Sequence, residues 1–263
     1  ALSGLADWAA LHCTELKRQI SLTPEAARKE ELVTMLAICE RVPELPARTF
    51  AEAMQSFFFQ HLAVMYENPF GGNGPGRLDH YLWPYLEADL AAGRTTLHAA
   101  RELVLELFVK LHERLGPGDG WVEAVVVGGR AKDGTVAVNP LSYIMVESIL
   151  ELRQTHPSVY IRLPQGAPDD FVELAVRYLV EGGNRAQIYG DDAVIAALES
   201  AGVQAEDARD WTAGGCMEVS PQGMNCDLLF SFAHNLPRTL ELVLNGGRLL
   251  QTGAEAVPGL RTL

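Results

Sequence analysis

Apolar residues at helical spacing dominate the first half of the chain. Thr23 followed by Pro24 is typical of a helix start, and the apolar pattern behind them extends to about residue 40. Thr49 and Glu52 form a capping-box pattern ahead of an apolar stretch that reaches about residue 66. Both segments are therefore predicted to be helices.

A third helix is predicted after Thr95 from the regular recurrence of leucine. The leucines are spaced by four residues, which places them on one stripe of a helix, and they are Leu103, Leu107, Leu111 and Leu115. Gly116 follows directly and suits the C-terminal cap, because glycine adopts the left-handed conformation without steric cost. The leucine stripe is expected to face the core.

Short β-rich runs bounded by Gly or Pro alternate with helical patterns in the second half. The predicted strands are 122–127, 158–163 and 186–189, and the predicted helices are 171–180 and 193–200. Strands that alternate with helices favour parallel pairing through crossover helices. Periodicity alone thus predicts an α/β fold with a partly parallel sheet and a helix-rich first half.

The composition is that of an acidic chain with enough apolar residues for a core. Of the 263 residues, 48% are hydrophobic, and the formal net charge is -13. An acidic surface disfavours nucleic-acid binding, which needs cationic side chains to neutralise phosphates. No apolar run approaches the ~20 residues of a membrane-spanning helix, and no signal-peptide pattern is present. We therefore expect a cytoplasmic protein that binds neither nucleic acid nor membranes.

The cysteines follow no metal-binding pattern. They are Cys13, Cys39, Cys216 and Cys226, with no Cys-x-x-Cys pair and no Cys/His cluster of zinc spacing among them. We expect reduced thiols in a reducing compartment and no bound metal.

The segment 214–223, Gly-Gly-Cys-Met-Glu-Val-Ser-Pro-Gln-Gly, carries the clearest chemical signal. Residues i and i+2 of an extended stretch face the same side, so the thiol of Cys216 and the carboxylate of Glu218 could share a pocket. No Lys, Arg or His lies within five residues of Cys216, which disfavours a nucleophilic thiolate. From the motif alone, a buried cysteine in an ordinary loop is an equally good interpretation.

Several short blocks, each weak alone, occur in the order of one known family. They are Arg28-Lys29-Glu30-Glu31-Leu32, Thr49 to Gln55, Gly76 to Tyr85 with Asp89-Leu90, Gly128-Gly129, Asn139 to Tyr143, Pro157 to Arg162, Asp191 to Ile195, Asp207 to Asp210, Gly-Cys-x-Glu at 215–218, and Asn235-Leu236 with Leu240 to Asn245. Together they resemble the catalytic domain of the glycyl radical enzymes, the family of pyruvate formate-lyase.

The resemblance implies a fold and a place within it. The family's fold is a ten-stranded barrel that encloses a finger loop with the cysteine at its tip. The family carries its radical on a glycine in a C-terminal Arg-Val-x-Gly-aromatic loop, and residues 1–263 contain no such loop. We therefore interpret the chain as the central part of a catalytic domain and expect it to be inactive alone.

The resemblance also implies the chemistry. A separate activating enzyme, which uses S-adenosylmethionine and an iron–sulfur cluster, installs the glycyl radical, and no other cofactor is bound. Cys216 would relay hydrogen between that radical and a substrate carbon, and Glu218 would act as general acid or base. Met217 stands where pyruvate formate-lyase has a second cysteine, which favours the Cys-x-Glu branch of dehydratases, other carbon–heteroatom lyases and some arylacetate decarboxylases. The complete enzyme is expected to be a homodimer.

Departures from the glycerol dehydratase pattern concern the substrate. A polar pair of that pattern falls on Gly71 and Gly72, and an acidic residue that grips hydroxyls falls on Phe230. Both changes remove polar contacts, so a less hydroxylated or aromatic small molecule is expected, and efficient diol dehydration would contradict this. His234, eighteen positions after Cys216, is a further candidate for the pocket.

Two other patterns have structural interpretations. Arg77 and Asp79 are expected to form a structural ion pair beside a turn. The glycine-rich run 71–76 has neither the strand-to-helix context of a Rossmann motif nor a following Gly-Lys-Ser/Thr, so nucleotide binding is disfavoured. This run is instead expected to be a substrate-facing loop.

Three hypotheses remain open at this point. The chain is the catalytic core of a Cys-x-Glu glycyl radical lyase, a split component that acts only with a glycyl-radical partner chain, or a non-catalytic relic of the fold. Retention of both Cys216 and Glu218 favours the first of them.

Overall fold

The structure is a computed structural model that describes residues 2–67, 74–114, 123–182, 186–214, 218–224 and 235–260. The elements within these ranges, in chain order, are α1 (Leu2–Leu22), α2 (Ala26–Cys39), α3 (Phe50–Glu67), α4 (Leu78–Ala91), α5 (Leu97–Arg114), β1 (Ala124–Gly128), α6 (Pro140–Leu152), β2 (Ser158–Leu163), α7 (Asp169–Gly182), β3 (Gln187–Gly190), α8 (Asp191–Ser200), α9 (Ala205–Arg209), β4 (Trp211–Gly214), β5 (Glu218–Pro221) and α10 (Leu236–Leu244). Two compact units are present, residues 1–225 and 226–263.

The first three strands form a parallel sheet in the order β1-β2-β3. Val126 is in register with Tyr160, and Ile161 with Ile188. All five residues of β1 are buried, which is typical of parallel strands that are covered on both faces. Helices α6 and α7 make the crossovers, so the predicted parallel α/β arrangement is confirmed.

The helix-covered face of this sheet is apolar. Val125, Val127, Val159 and Ile161 pack into the main hydrophobic core with residues from α3 to α7. The core residues of α5 include Leu107 and Leu111, as the leucine stripe predicts, whereas Leu103 is only half-buried. Leu115 and Gly116 lie outside the described residues.

The opposite face of the sheet, here called the hairpin-covered face, packs against β4. Its residues Ala124, Val126 and Tyr160 join Trp211 and Ala213 in a second cluster. The alternation along β1 and β2 follows from the period of two in a strand, which sends neighbouring side chains to opposite faces. The sheet therefore carries the large core on one side and strand β4 on the other.

Strands β4 and β5 form an antiparallel hairpin. The register pairs Trp211 with Pro221 and Gly214 with Glu218. Residues 215–217, which link the paired ends, lie outside the described residues. Within the segment that the sequence analysis singled out, Gly214 and Glu218–Pro221 therefore belong to this hairpin.

Helix boundaries differ from the sequence expectation in detail. The helix expected to open at Thr23 and Pro24 begins at Ala26, with Glu25 as its N-cap residue. At α3, the backbone N–H of Glu52 donates to the Thr49 hydroxyl at 3.2 Å. The Glu52 carboxylate accepts from the N–H of Arg48 rather than from that of Thr49, so the capping box is only half formed.

The second unit contains α10. The side chain of Asn235 caps this helix by accepting a hydrogen bond from the N–H of Arg238 at 2.9 Å. Leu236, Leu240 and Leu244 follow one stripe of α10, and all three are exposed. No helix in the described part of the chain combines the length and apolarity that crossing a membrane requires.

Candidate active site

Glu218 lies at the closed end of the β4–β5 hairpin. It is the first residue of β5, it is half-buried, and its backbone is in register with Gly214. Cys216 is the middle residue of the three that separate this pair, and it lies outside the described residues. Glu218 follows Cys216 by two positions in the sequence, and the joint pocket of the two side chains stays a prediction.

Tyr189 is a neighbour of this site that the sequence analysis missed. It lies near the carboxyl end of β3, where its hydroxyl donates to Oε1 of Gln187 at 3.0 Å. Burial raises the pKa of the Tyr189 phenol, and the charges of Tyr160 and Glu218 raise this pKa further. Its ring meets Trp211 edge-on with centroids 5.3 Å apart. The carboxyl ends of parallel strands are where α/β proteins bind ligands, and that rule could have indicated this position.

Arg162 connects the start of β4 to the parallel sheet through side-chain hydrogen bonds. It belongs to β2 and is fully buried, and its Nε donates to Oδ1 of Asp191 at 2.8 Å. Its two terminal nitrogens donate to the backbone carbonyls of Trp211 and Arg209, each at 2.7 Å. Burial and the nearby Arg77 lower the pKa of the guanidinium to about 10, while Asp191 opposes this shift, so the group is charged at neutral pH.

Asp191 and Trp211 complete this arrangement. The indole N–H of Trp211 donates to the same Oδ1 of Asp191 at 2.7 Å. The guanidinium carbon of Arg162 lies 4.4 Å from the centre of the Trp211 ring, which is cation–π geometry. Gly129 has a positive φ of 82°, and a Cβ at this position would overlap the Arg162 guanidinium. We call Arg162, Asp191 and Trp211 the arginine clamp.

Arg77 makes a second set of hydrogen bonds near the start of β4. It is buried just before α4, and its Nη1 donates to Oδ1 of Asp210 at 2.7 Å. Its Nη2 donates to the carbonyl oxygen of Arg130 at 2.9 Å. The three consecutive residues 209–211 are therefore held by two buried guanidinium groups. The expected ion pair of Arg77 with Asp79 is wrong, because the carboxylate that pairs with Arg77 is that of Asp210.

The Asp79 carboxylate accepts hydrogen bonds from neutral groups instead of pairing with Arg77. Its Oδ2 accepts from the Ser142 hydroxyl at 2.6 Å and from the N–H of Gly128 at 2.7 Å. Burial raises the pKa of this carboxyl, and the two hydrogen bonds and the charge of Arg77 oppose the shift. Its Oδ1 is buried and accepts no hydrogen bond from the residues described. Asp79 thus joins α4, α6 and the end of β1.

The glycine-rich run leads to the edge of the sheet. Gly76 accepts from the N–H of Val126 at 2.8 Å and donates to the carbonyl of Ala124 at 3.1 Å, so it pairs with β1. A Cβ on Gly76 would lie 3.7 Å from the hydroxyl of Thr212 in β4. The end of this run therefore lies beside the hairpin.

The remaining substrate candidates are untested by the geometry. Gly71, Gly72, Phe230 and His234 all lie outside the described residues, and their assignment to the pocket stays a prediction. Within the described ranges, no group of three or more His, Cys, Asp and Glu side chains is arranged to hold a metal ion.

Comparison with solved structures relates this fold to the glycyl radical enzymes. A glycyl radical enzyme from Archaeoglobus fulgidus matches 99% of the chain with a TM-score of 0.82 and 28% identity, over 35% of its own length. A solved structure that concerns 1,2-propanediol dehydration in Roseburia inulinivorans matches 97% of the chain with a TM-score of 0.84 and 29% identity, over 33% of its own length.

Sequence comparison makes the assignment to a family. The model of the pyruvate formate lyase-like family matches residues 1–263, so the chain belongs to that family. An isethionate sulfite-lyase of Nitratidesulfovibrio vulgaris is 30% identical over 259 residues, which cover 94% of this chain and 31% of that relative. The chain thus spans about a third of the length of these relatives.

Proposed function

We propose that the chain is the catalytic-core portion of a glycyl radical lyase that cleaves a C–O or other carbon–heteroatom bond of a small organic substrate. Membership of the family supports the class of chemistry. The observation that supports the assignment to particular residues is the hairpin register, in which Gly214 and Glu218, the residues that border 215–217, are paired.

Cys216 is the proposed hydrogen relay. In the complete enzyme the glycyl radical would supply the radical character, and the Cys216 thiol would give up its hydrogen atom to it. The sulfur atom of Cys216 then takes one hydrogen atom from a substrate carbon, which restores the S–H bond and leaves the unpaired electron on that carbon. After the leaving group departs, the product-side carbon takes the hydrogen atom back from Cys216. The radical on the sulfur atom of Cys216 is therefore regenerated once per turnover and is not consumed.

Glu218 is the proposed acid/base group for the leaving step. Departure of a hydroxyl as water needs a proton on the leaving oxygen, and a half-buried carboxyl two residues from the thiol can deliver it or remove a proton from a neighbouring hydroxyl. Its position in a strand supports this role, because the backbone pairing with Gly214 limits the directions in which the side chain can point.

Replacement of the thiol tests the function directly. In the complete enzyme, Cys216→Ala and Cys216→Ser are each expected to abolish turnover, because alanine has no transferable hydrogen and the serine O–H bond holds its hydrogen too strongly. The glycyl radical should still form, and electron paramagnetic resonance measures it in the same samples. Substantial turnover by either radical-bearing variant would remove Cys216 from the mechanism.

A further inference from the structure

We propose that Arg162, held by Asp191, is a positioning residue for Cys216: it sets where strand β4 starts and thereby where the hairpin presents the thiol. The inference rests on the proposed function for its catalytic consequence. The placement itself concerns the structure of the hairpin and is tested separately below.

The arginine clamp holds the backbone at two carbonyl groups rather than one. Arg162 donates to the carbonyls of Arg209 and Trp211, which flank Asp210, and each N···O distance is 2.7 Å. A single hydrogen bond would let the strand pivot, whereas two bonds from one planar guanidinium fix both its position and its direction. Because β4 runs only from Trp211 to Gly214, this constraint acts close to the hairpin end.

The orientation of the guanidinium is itself fixed. Oδ1 of Asp191 accepts from Nε of Arg162 and from the indole of Trp211, and the indole ring lies against the guanidinium. Gly129 leaves the space that the guanidinium fills. Since lysine carries one ammonium at the end of a flexible stem, it cannot hold Asp191 and both carbonyls in this plane.

Stability alone does not account for this arrangement. Both Arg162 and Asp191 are fully buried, and removing charges from water costs about as much as their mutual attraction returns. The second carboxylate oxygen of Asp191 is buried and accepts no hydrogen bond within the part of the chain that the structure describes. A buried ion pair with an unused acceptor is poorly optimised for stability, and fixing a unique register is the better attested use of such pairs.

The test compares Asp191→Asn and Arg162→Lys with Asp89→Asn in the complete enzyme. Asp89 is a matched control, because it is also a buried carboxylate with two donors, the N–H of Phe50 and Nε of Arg94, each at 2.7 Å. Its partners belong to α3 and to the residues after α4, and not to β4 or β5. Asp191→Asn keeps an acceptor for Arg162 and is the variant to use where Arg162→Lys fails to fold.

Three measurements separate positioning from general stability. Thermal unfolding gives the stability of each variant, and anaerobic alkylation with iodoacetamide followed by peptide mass spectrometry gives the reactivity of Cys216, with the buried Cys13 and Cys39 as internal references. Turnover per glycyl radical gives kcat and KM. The two clamp variants should alter Cys216 alkylation several-fold relative to Asp89→Asn at matched stability. They should lower kcat about 10- to 100-fold, the size expected for misplacement by about 1 Å, with KM changed less.

The outcomes distinguish this inference from the proposed function. Equal Cys216 alkylation in Asp191→Asn and Asp89→Asn at matched stability overturns the positioning role. Altered alkylation in an enzyme whose Cys216→Ala variant still turns over supports the positioning role and overturns the proposed function. Wild-type kcat in Arg162→Lys, where Cys216→Ala is inactive, overturns the catalytic consequence of the clamp.

Discussion

The two faces of the parallel sheet bury different kinds of side chain. The helix-covered face packs the apolar side chains of Val127, Val159 and Ile161 against helices. The hairpin-covered side carries, at the carboxyl ends of the strands, the charged groups of Arg162 and Asp191 beside Trp211. Apolar burial stabilises a fold without fixing directions, whereas hydrogen-bonded charges fix directions at a cost in desolvation. We infer that stability comes chiefly from the first face and site geometry from the second.

The largest effect is expected from truncation on the helix-covered face. Ile161 is fully buried there, so Ile161→Ala should lower the free energy of unfolding by about 2–5 kcal/mol through lost apolar burial and the cavity left behind. Turnover per folded, radical-bearing molecule should stay near that of the wild type. Denaturant unfolding and activity assays measure the two quantities, and a loss of kcat as large as that of the clamp variants would break the comparison between the faces.

The second effect concerns the hairpin. Glu218→Gln should lower the rate at least ~100-fold, the size expected for deleting a positioned acid/base. The free energy of unfolding should change little, because Glu218 is half-buried at a strand end and an amide of equal size replaces it. Steady-state kinetics beside denaturant unfolding make the comparison. A rate loss of less than a few-fold would assign Glu218 a structural role.

The smallest effect is a change in pH dependence at Asp79. Burial raises the pKa of this carboxyl in the folded protein, so the folded state binds a proton that the unfolded chain has released. Stability from this group is therefore greatest at low pH and falls as the pH rises from the ordinary carboxyl pKa through the raised value. Asp79→Asn should remove this fall. Unfolding free energies across the mildly acidic range test it, and identical slopes for both proteins would contradict the prediction.

Much of the fold could be predicted from local pattern. The strand 158–163 matches β2 residue for residue, and parallel pairing follows from the alternation of strands and helices. Helix α4 was missed because Pro84 interrupts it, although Leu78, Leu82 and Leu86 recur at helical spacing and are all buried. The start of α6 also carried a usable signal, since Asn139 before Pro140 caps this helix.

The site was less accessible to sequence reasoning. Glu218 could be singled out because it belongs to a short motif of four adjacent residues, Gly-Cys-x-Glu at 215–218. The clamp could not, because Arg162 bonds to residues 29 to 49 positions away, and a lone arginine in an apolar strand gives no sign of burial. Closeness in sequence was misleading for Arg77, whose partner Asp210 is 133 positions away rather than two.

The clamp binds main-chain oxygen atoms, and that has a consequence for how the sequence can change over evolution. Every amino acid offers the same carbonyl, so the side chain at position 209 can drift without loss of the bonds that Arg162 makes. The hydrogen bonds that hold the start of β4 therefore depend on Arg162, Asp191 and the space at Gly129, and not on the side chain at position 209.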